Sequence, residues 1–128
     1  MSSAAPALPK PSQGEIWVVK LPTEPPDKGH RYVIVVSTDA QNHHPRATTV
    51  LVVPLSTTIS SADRLRLSPG ETGLKEHSEV WANGITAIRK DALRPPREPL
   101  RKLSHGAICQ IAKHVIRAMA VLPVEITG

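Results

Sequence analysis

An arginine and three hydroxyl residues set the first chemical possibility in this sequence. Arg31 heads an apolar run, RYVIVVST over 31–38, and Ser56, Thr57 and Thr58 follow another, TTVLVVPL over 48–55. If the two runs pair as antiparallel strands, the start of one lies beside the end of the other. Arg31 and the hydroxyls then share one rim of a sheet. That pairing suits a phosphodiester: a guanidinium offers a planar fork of donors to phosphate oxygens. It also stabilises charge that builds in a phosphorane-like transition state. A hydroxyl beside it can orient a non-bridging oxygen. The same residues also read as a rim arginine capping a buried strand and a plain hydroxyl-rich turn.

Other polar residues cluster around this rim in sequence. His30 precedes Arg31, and histidine titrates near neutral pH, which makes it a candidate general base. Adjacent strand residues point to opposite faces, so at most one of His30 and Arg31 faces a common groove. Lys28, Arg46, Arg64 and Arg66 are candidate phosphate contacts. The six histidines show no H-x-x-x-H pattern, and Cys109 is the only cysteine. That leaves no zinc motif and no intrachain disulfide. GETG at 70–73 lacks the lysine of a phosphate-binding loop and reads as a turn.

These residues need a scaffold, and the sequence supplies mostly strands. GEIWVVKL, 14–21, is β-branched and aromatic, as strands are. PTEPPDKG, 22–29, is a loop. The runs 31–38 and 48–55 are apolar without alternation, which predicts burial on both faces. Pro54 cannot donate to a ladder and marks an edge, a bulge or a strand end. DRLRLS, 63–68, alternates, placing Arg64 and Arg66 together on an outer face. EVWANGITAI, 79–88, reads as a strand interrupted at Asn83-Gly84. RKDALRPPREPL, 89–100, is loop with room for a short helical turn. SHGAICQIAKHVIRAMAVL, 104–122, repeats apolar residues at helical spacing, with Ser104 as N-cap and Pro123 as stop.

Five strands and one terminal helix without strand–helix–strand alternation predict a mainly β, α+β domain: a small, strongly bent sheet or barrel. The domain spans 14–122. Residues 1–13, rich in Ala, Ser and Pro, are expected to form a disordered or loosely docked arm, and 123–128 a tail.

Composition narrows the class. The 128 residues contain no Phe, so the core must be aliphatic; Trp17, Tyr32 and Trp81 are the only aromatics. Both tryptophans read first as core or dimer-interface residues. The net charge is +5, with a pI near 9.8, which favours polyanionic partners. No apolar run is long enough for a membrane span. MSSAAPALPKPSQ does not read as a secretory signal, and cytoplasmic placement is expected.

Four stretches resemble the MazF/PemK toxins, endoribonucleases of bacterial toxin–antitoxin pairs. GEIWVVKL resembles the family's opening strand. GHRYVIVVS resembles its arginine-bearing strand. TTVLVVPLSTT resembles the strand that ends in Thr or Ser. VWANGITAIRKDAL resembles the strand that follows. A C-terminal helix comes next in both, and the likeness covers 14–122.

The resemblance implies an SH3-like small barrel of the MazF/PemK/CcdB type, a homodimer, and a groove for single-stranded RNA. It implies cleavage with no metal or cofactor: the 2′-hydroxyl attacks the scissile phosphate, leaving 2′,3′-cyclic phosphate and 5′-hydroxyl ends. It places the catalytic arginine on Arg31 and the catalytic hydroxyl on Ser56, with Thr57 as second candidate. Lys28, His30, Arg46, Thr58, Arg64, Arg66 and Asn83 are the expected RNA contacts. An acidic antitoxin protein is the expected partner.

The departures are specific. Tyr32 stands where the family has proline. Glu24 and Asp27 are the acidic residues near Arg31, without a clean match. Asn83-Gly84, Ala87 and Arg89 differ at positions that shape the RNA groove, so base preference does not carry over. A non-catalytic barrel, either a gyrase-poison-like toxin or a nucleic-acid-binding module, is the alternative.

Overall fold

The computed structural model describes residues 9–20, 30–60 and 64–119. The expected loop at 22–29, with Glu24, Asp27 and Lys28, lies outside them. So do residues 1–8 of the expected arm and the chain beyond Met119.

Among the described residues, six strands form one antiparallel sheet: β1 (Ile16–Val19), β2 (Arg31–Val35), β3 (Thr49–Ser56), β4 (Leu65–Leu67), β5 (Ser78–Val80) and β6 (Thr86–Arg89). Their order is β1-β2-β3-β5-β4, with β6 also on β3. Both non-alternating runs became central strands, buried on two sides over Val33–Val35 and Val52–Leu55 as their composition predicts, whereas Leu51 is exposed. One face of the sheet packs Ile16, Ile34, Val53, Leu55 and Val80 against Leu103, Ile108 and Ile111. The other packs Val19, Val33, Val35, Val50 and Val52 against Ile88 and Leu93. Two thin aliphatic layers thus replace the aromatic core that the composition denies.

β3 changes partner along its length. Thr49–Val52 pair with β6, whereas Leu55 and Ser56 pair with β5. Pro54, which lacks an N–H, falls at the switch, and its carbonyl accepts the Trp81 N–H at 3.0 Å. The predicted single strand over 79–88 is therefore two strands joined by a 3₁₀ turn at Ala82–Gly84. The interruption sits at Asn83-Gly84, as expected. Gly84 is required there by close approach: a Cβ would stand 3.1 Å from the Pro54 ring carbons.

The sheet bends strongly but does not close into a full barrel. After β6 and a 3₁₀ turn at Lys90–Ala92, Arg94 meets β1 through one isolated bridge to Val18. Among the described residues, three α-helices accompany the sheet: the single turns α1 (Asp39–Asn42) and α2 (Pro69–Thr72), and α3 (His105–Met119). The two short turns fall in stretches read as loop and turn. α2 carries a capping box, with Ser68 and Glu71 answering each other's backbone amides. Ser104 caps α3, its hydroxyl accepting the Ala107 N–H at 3.1 Å, a contact worth about 1 kcal/mol. Pro11 and Gln13 bond to α1, through His43 and Asp39. No helix among the described residues is long and apolar enough to cross a membrane.

Candidate active site

The rim predicted from sequence exists, and strand register builds it. Tyr32 pairs with Leu55 across β2 and β3. One residue further along, Arg31 falls beside Ser56. Ser56 in turn pairs with Glu79 on β5, and Glu79 with Arg66 on β4. Directly opposed residues in an antiparallel sheet share a face. Arg31, Ser56, Glu79 and Arg66 therefore form one row across four strands. This is the face of the Val33–Val52 layer, and the row stands where that layer reaches its rim.

Alternation along each strand adds Trp81 and Arg64 to the same face. The Arg64 guanidinium carbon lies 4.2 Å from the Trp81 ring centroid, and that of Arg31 lies 5.6 Å from it. Both are cation–π distances.

Glu79, fully buried, holds this group together. Its Oε1 accepts from Ser60 Oγ (2.7 Å), Arg64 Nη1 (2.8 Å) and Trp81 Nε1 (3.1 Å), and its Oε2 accepts from Ser60 N (3.0 Å). Burial alone pushes its carboxyl up. The bonds from Ser60, Arg64 and Trp81 outweigh burial and bring it down to about 2. It is ionised at neutral pH.

Ser56 ends β3 in a tight hydroxyl turn. Its Oγ accepts the Thr58 N–H at 3.1 Å and donates to the Thr58 carbonyl at 3.3 Å. Thr57 points the other way. It lines a cavity of about 630 Å³ with Tyr32, Leu74 and Glu98. The two candidate hydroxyls are therefore separated by the sheet plane, and Ser56 is the one on Arg31's face.

The remaining predicted residues divide. Thr58 is exposed beside Ser56, and Arg66 is exposed in the row. Asn83 lines a cavity of about 430 Å³ with Arg64, Val80, His114 and Arg117. His30 faces a different cavity, of about 520 Å³, with Tyr32, Arg94, Arg97 and Glu98. There the Tyr32 hydroxyl donates to Glu98 at 2.7 Å. Burial, then this bond to a carboxylate, pushes the Tyr32 pKa up to about 12. Arg46 precedes β3, so the eight residues of that strand separate it from the rim. At about 3.3 Å per residue this is roughly 25 Å of strand. Lys28 lies outside the described residues.

Glu79 and Ser60 were not legible as site residues, and Trp81 read as core or dimer interface. The usable signal was the charge pattern: Glu79 shares strand parity with Trp81 and opposes the arginines of 63–68. Among the described residues, no three His, Cys, Asp or Glu side chains group as a metal site would require.

Residues 12–119 match the PemK-like, MazF-like toxins of type II toxin–antitoxin systems. This chain belongs to that toxin family. No curated protein matches it in sequence. Solved structures carry the likeness of fold. An endoribonuclease from a mycobacterial species, bound to its cognate antitoxin, has a TM-score of 0.63 at 20% identity, covering 88% of this toxin and 96% of that chain. The MazF-mt6 toxin of Mycobacterium tuberculosis gives 0.65 at 20% identity, covering 84% and 98%. The MazE–MazF structure from Deinococcus radiodurans gives 0.66 at 14% identity, covering 88% and 99%. The six-stranded sheet and terminal helix of this toxin are thus the family's architecture.

Proposed function

We propose that this toxin is a sequence-selective endoribonuclease that cuts single-stranded RNA at the Arg31–Ser56 rim. The observation that carries the reading is the cross-strand row, which sets a guanidinium and a hydroxyl on one face of the sheet edge. Family membership and likeness of fold to endoribonucleases support it. The RNA 2′-hydroxyl gives up its proton to water as its oxygen attacks phosphorus, the bond to the 5′-oxygen breaks, and the departing oxygen takes up a proton from water. The products are a 2′,3′-cyclic phosphate and a 5′-hydroxyl. Arg31 stabilises the charge that builds on the non-bridging oxygens. Ser56 turns its hydroxyl from the Thr58 carbonyl to orient one of those oxygens. The reaction needs no metal or cofactor. Arginine holds its proton too tightly to give it up readily, so Arg31 serves here as a charge stabiliser rather than as the proton donor.

Arg64, Arg66 and Thr58 line the approach on this face, Asn83 contacts RNA from the α3 side, and His30 and Arg46 contact RNA further out. The scarcity of aromatics limits base stacking, so recognition rests on hydrogen bonds to a short sequence. The partner is an antitoxin, as the complex of the mycobacterial endoribonuclease with its cognate antitoxin supports, and its binding part is an acidic segment laid over the basic face. The toxin works as a cytoplasmic homodimer of the 14–122 domain.

The test is cleavage of a long single-stranded RNA in EDTA, with new 5′ ends mapped beside an Arg31→Ala control. Discrete cuts bearing 5′-hydroxyls, reduced at least 10²-fold in the variant, are expected. Folded, antitoxin-free protein that cuts nothing, or a variant that cuts at the wild-type rate, overturns the reading. The former outcome points to a non-catalytic toxin.

A further inference from the structure

Glu79 is poorly placed for proton chemistry. Three donors converge on its Oε1, and Ser60 N takes its Oε2. A carboxylate engaged in this way makes a weak base, and its geometry points to another task. The bond from Trp81 Nε1 fixes the direction of the indole plane. The bond from Arg64 Nη1 fixes a guanidinium 4.2 Å from the same ring. Arg31 shares that ring, at 5.6 Å. Two guanidinium groups against one indole repel each other, and the Glu79 charge beneath them offsets that repulsion.

We infer that Glu79 is a positioning residue for Arg31: its carboxylate sets the Trp81 indole and the Arg64 guanidinium, and these set where the Arg31 guanidinium stands over the rim. The inference rests on the reading of Arg31 as the cleavage residue. It extends the site inward by one buried anion and one aromatic ring. A purely structural Glu79 would tie the segment at 60–64 to β5 and do no more. The two roles differ in what they do to Arg31.

The experiment compares wild type, Glu79→Gln and Trp81→Phe by three readouts. These are single-turnover cleavage of one RNA, the affinity for that RNA, and the Arg31 Nε–H resonance in ¹⁵N-arginine-labelled protein. Glu79→Gln keeps the shape and removes the charge. Trp81→Phe keeps an aromatic ring at this half-buried position but removes the N–H that donates to Glu79, together with the five-membered part of the indole, so it serves if the first variant does not fold. In Glu79→Gln the cleavage rate should fall by about 10- to 10²-fold, the scale for a misplaced catalytic group. Trp81→Phe should show a smaller loss in the same direction. RNA affinity should stay within about threefold in both, and the Arg31 resonance should move toward that of an exposed, averaging arginine. Folded variants that keep the wild-type rate and Arg31 signal overturn the inference. So does a lost rate with an unchanged Arg31 signal. If the wild-type protein cuts no RNA, the proposed activity falls separately, and the Arg31 resonance alone decides whether Glu79 positions it.

Discussion

Ser56 and Glu79 are register partners across β3 and β5, and the register carried to β2 brings Arg31 beside Ser56. This separates two hydroxyls that sequence leaves as neighbours. Ser56 shares a face with Arg31, while Thr57 opens onto the cavity of Tyr32 and Glu98. Ser56→Ala should therefore cut single-turnover RNA cleavage by at least tenfold. Thr57→Ala should stay within about threefold of wild type. The variants share one assay, and the reverse ranking would hand the catalytic role to Thr57.

The cations around the rim should differ in their salt signatures. Arg66 is exposed in the row, whereas Arg46 lies beyond the other end of β3. Each phosphate contact on a single strand contributes about 0.7 to the slope of log affinity against log salt. Arg66→Gln should flatten the slope by about that amount for a short RNA spanning the cut site. Arg46→Gln should leave it unchanged with the same short RNA and flatten it only with a longer one. Fluorescence anisotropy across a salt series measures both. Equal effects on the short RNA would show that the RNA path runs along β3 rather than across its end.

Gly84 tests the partner switch of β3. Its Cα faces the Pro54 ring, and an added Cβ would meet two ring carbons at 3.1 Å. Pro54 is buried within a paired strand, so it has little room to retreat. Gly84→Ala should destabilise the protein by about 1–3 kcal/mol, the usual cost of overpacking. Urea unfolding gives the number. A neutral result would show that the turn at Ala82–Gly84 can lift off β3 without loss.

Much of this arrangement was legible in the sequence, for identifiable reasons. The apolar runs at 31–38 and 48–55 are short, β-branched and without polar alternation, which favours strands covered on both sides, and Leu51 alone among their large apolar residues is exposed. Asn83-Gly84 broke the run at 79–88 where the chain does turn. Arg31 and Ser56 were predictable as neighbours because antiparallel pairing depends only on order and length. What stayed hidden depends on contacts between distant segments. Glu79 is buried because Ser60 and Arg64, 19 and 15 residues away, bring donors to it. A lone glutamate in a three-residue strand shows none of that. The incomplete closure of the barrel was hidden for a similar reason. It turns on the one isolated bridge between Val18 and Arg94, and the switch of β3 from β6 to β5 was hidden too, because Pro54 was open to three readings until its partners were known.

The buried carboxylate also predicts how the protein meets acid. Glu79 titrates at about 2 in the fold, against an ordinary value of 4.5. A carboxyl whose folded pKa is depressed binds fewer protons in the fold than when unfolded. Its stabilising contribution is therefore complete above about pH 4.5 and is lost as the pH falls toward 2. Asp39 and Asp91 are also held low, by the Gln13 backbone N–H and by Arg89 respectively. Both carboxylates are exposed, and both persist in Glu79→Gln, so the difference between the two proteins isolates Glu79. Thermal unfolding at steps from pH 6 to pH 2.5 should show wild type losing Tm more steeply than Glu79→Gln below pH 4.5. The gap between them should be constant above that pH and narrow below it. Parallel curves through the whole range would mean that Glu79 is no better held in the fold than in the unfolded chain, and the network of Ser60, Arg64 and Trp81 would lose its electrostatic basis.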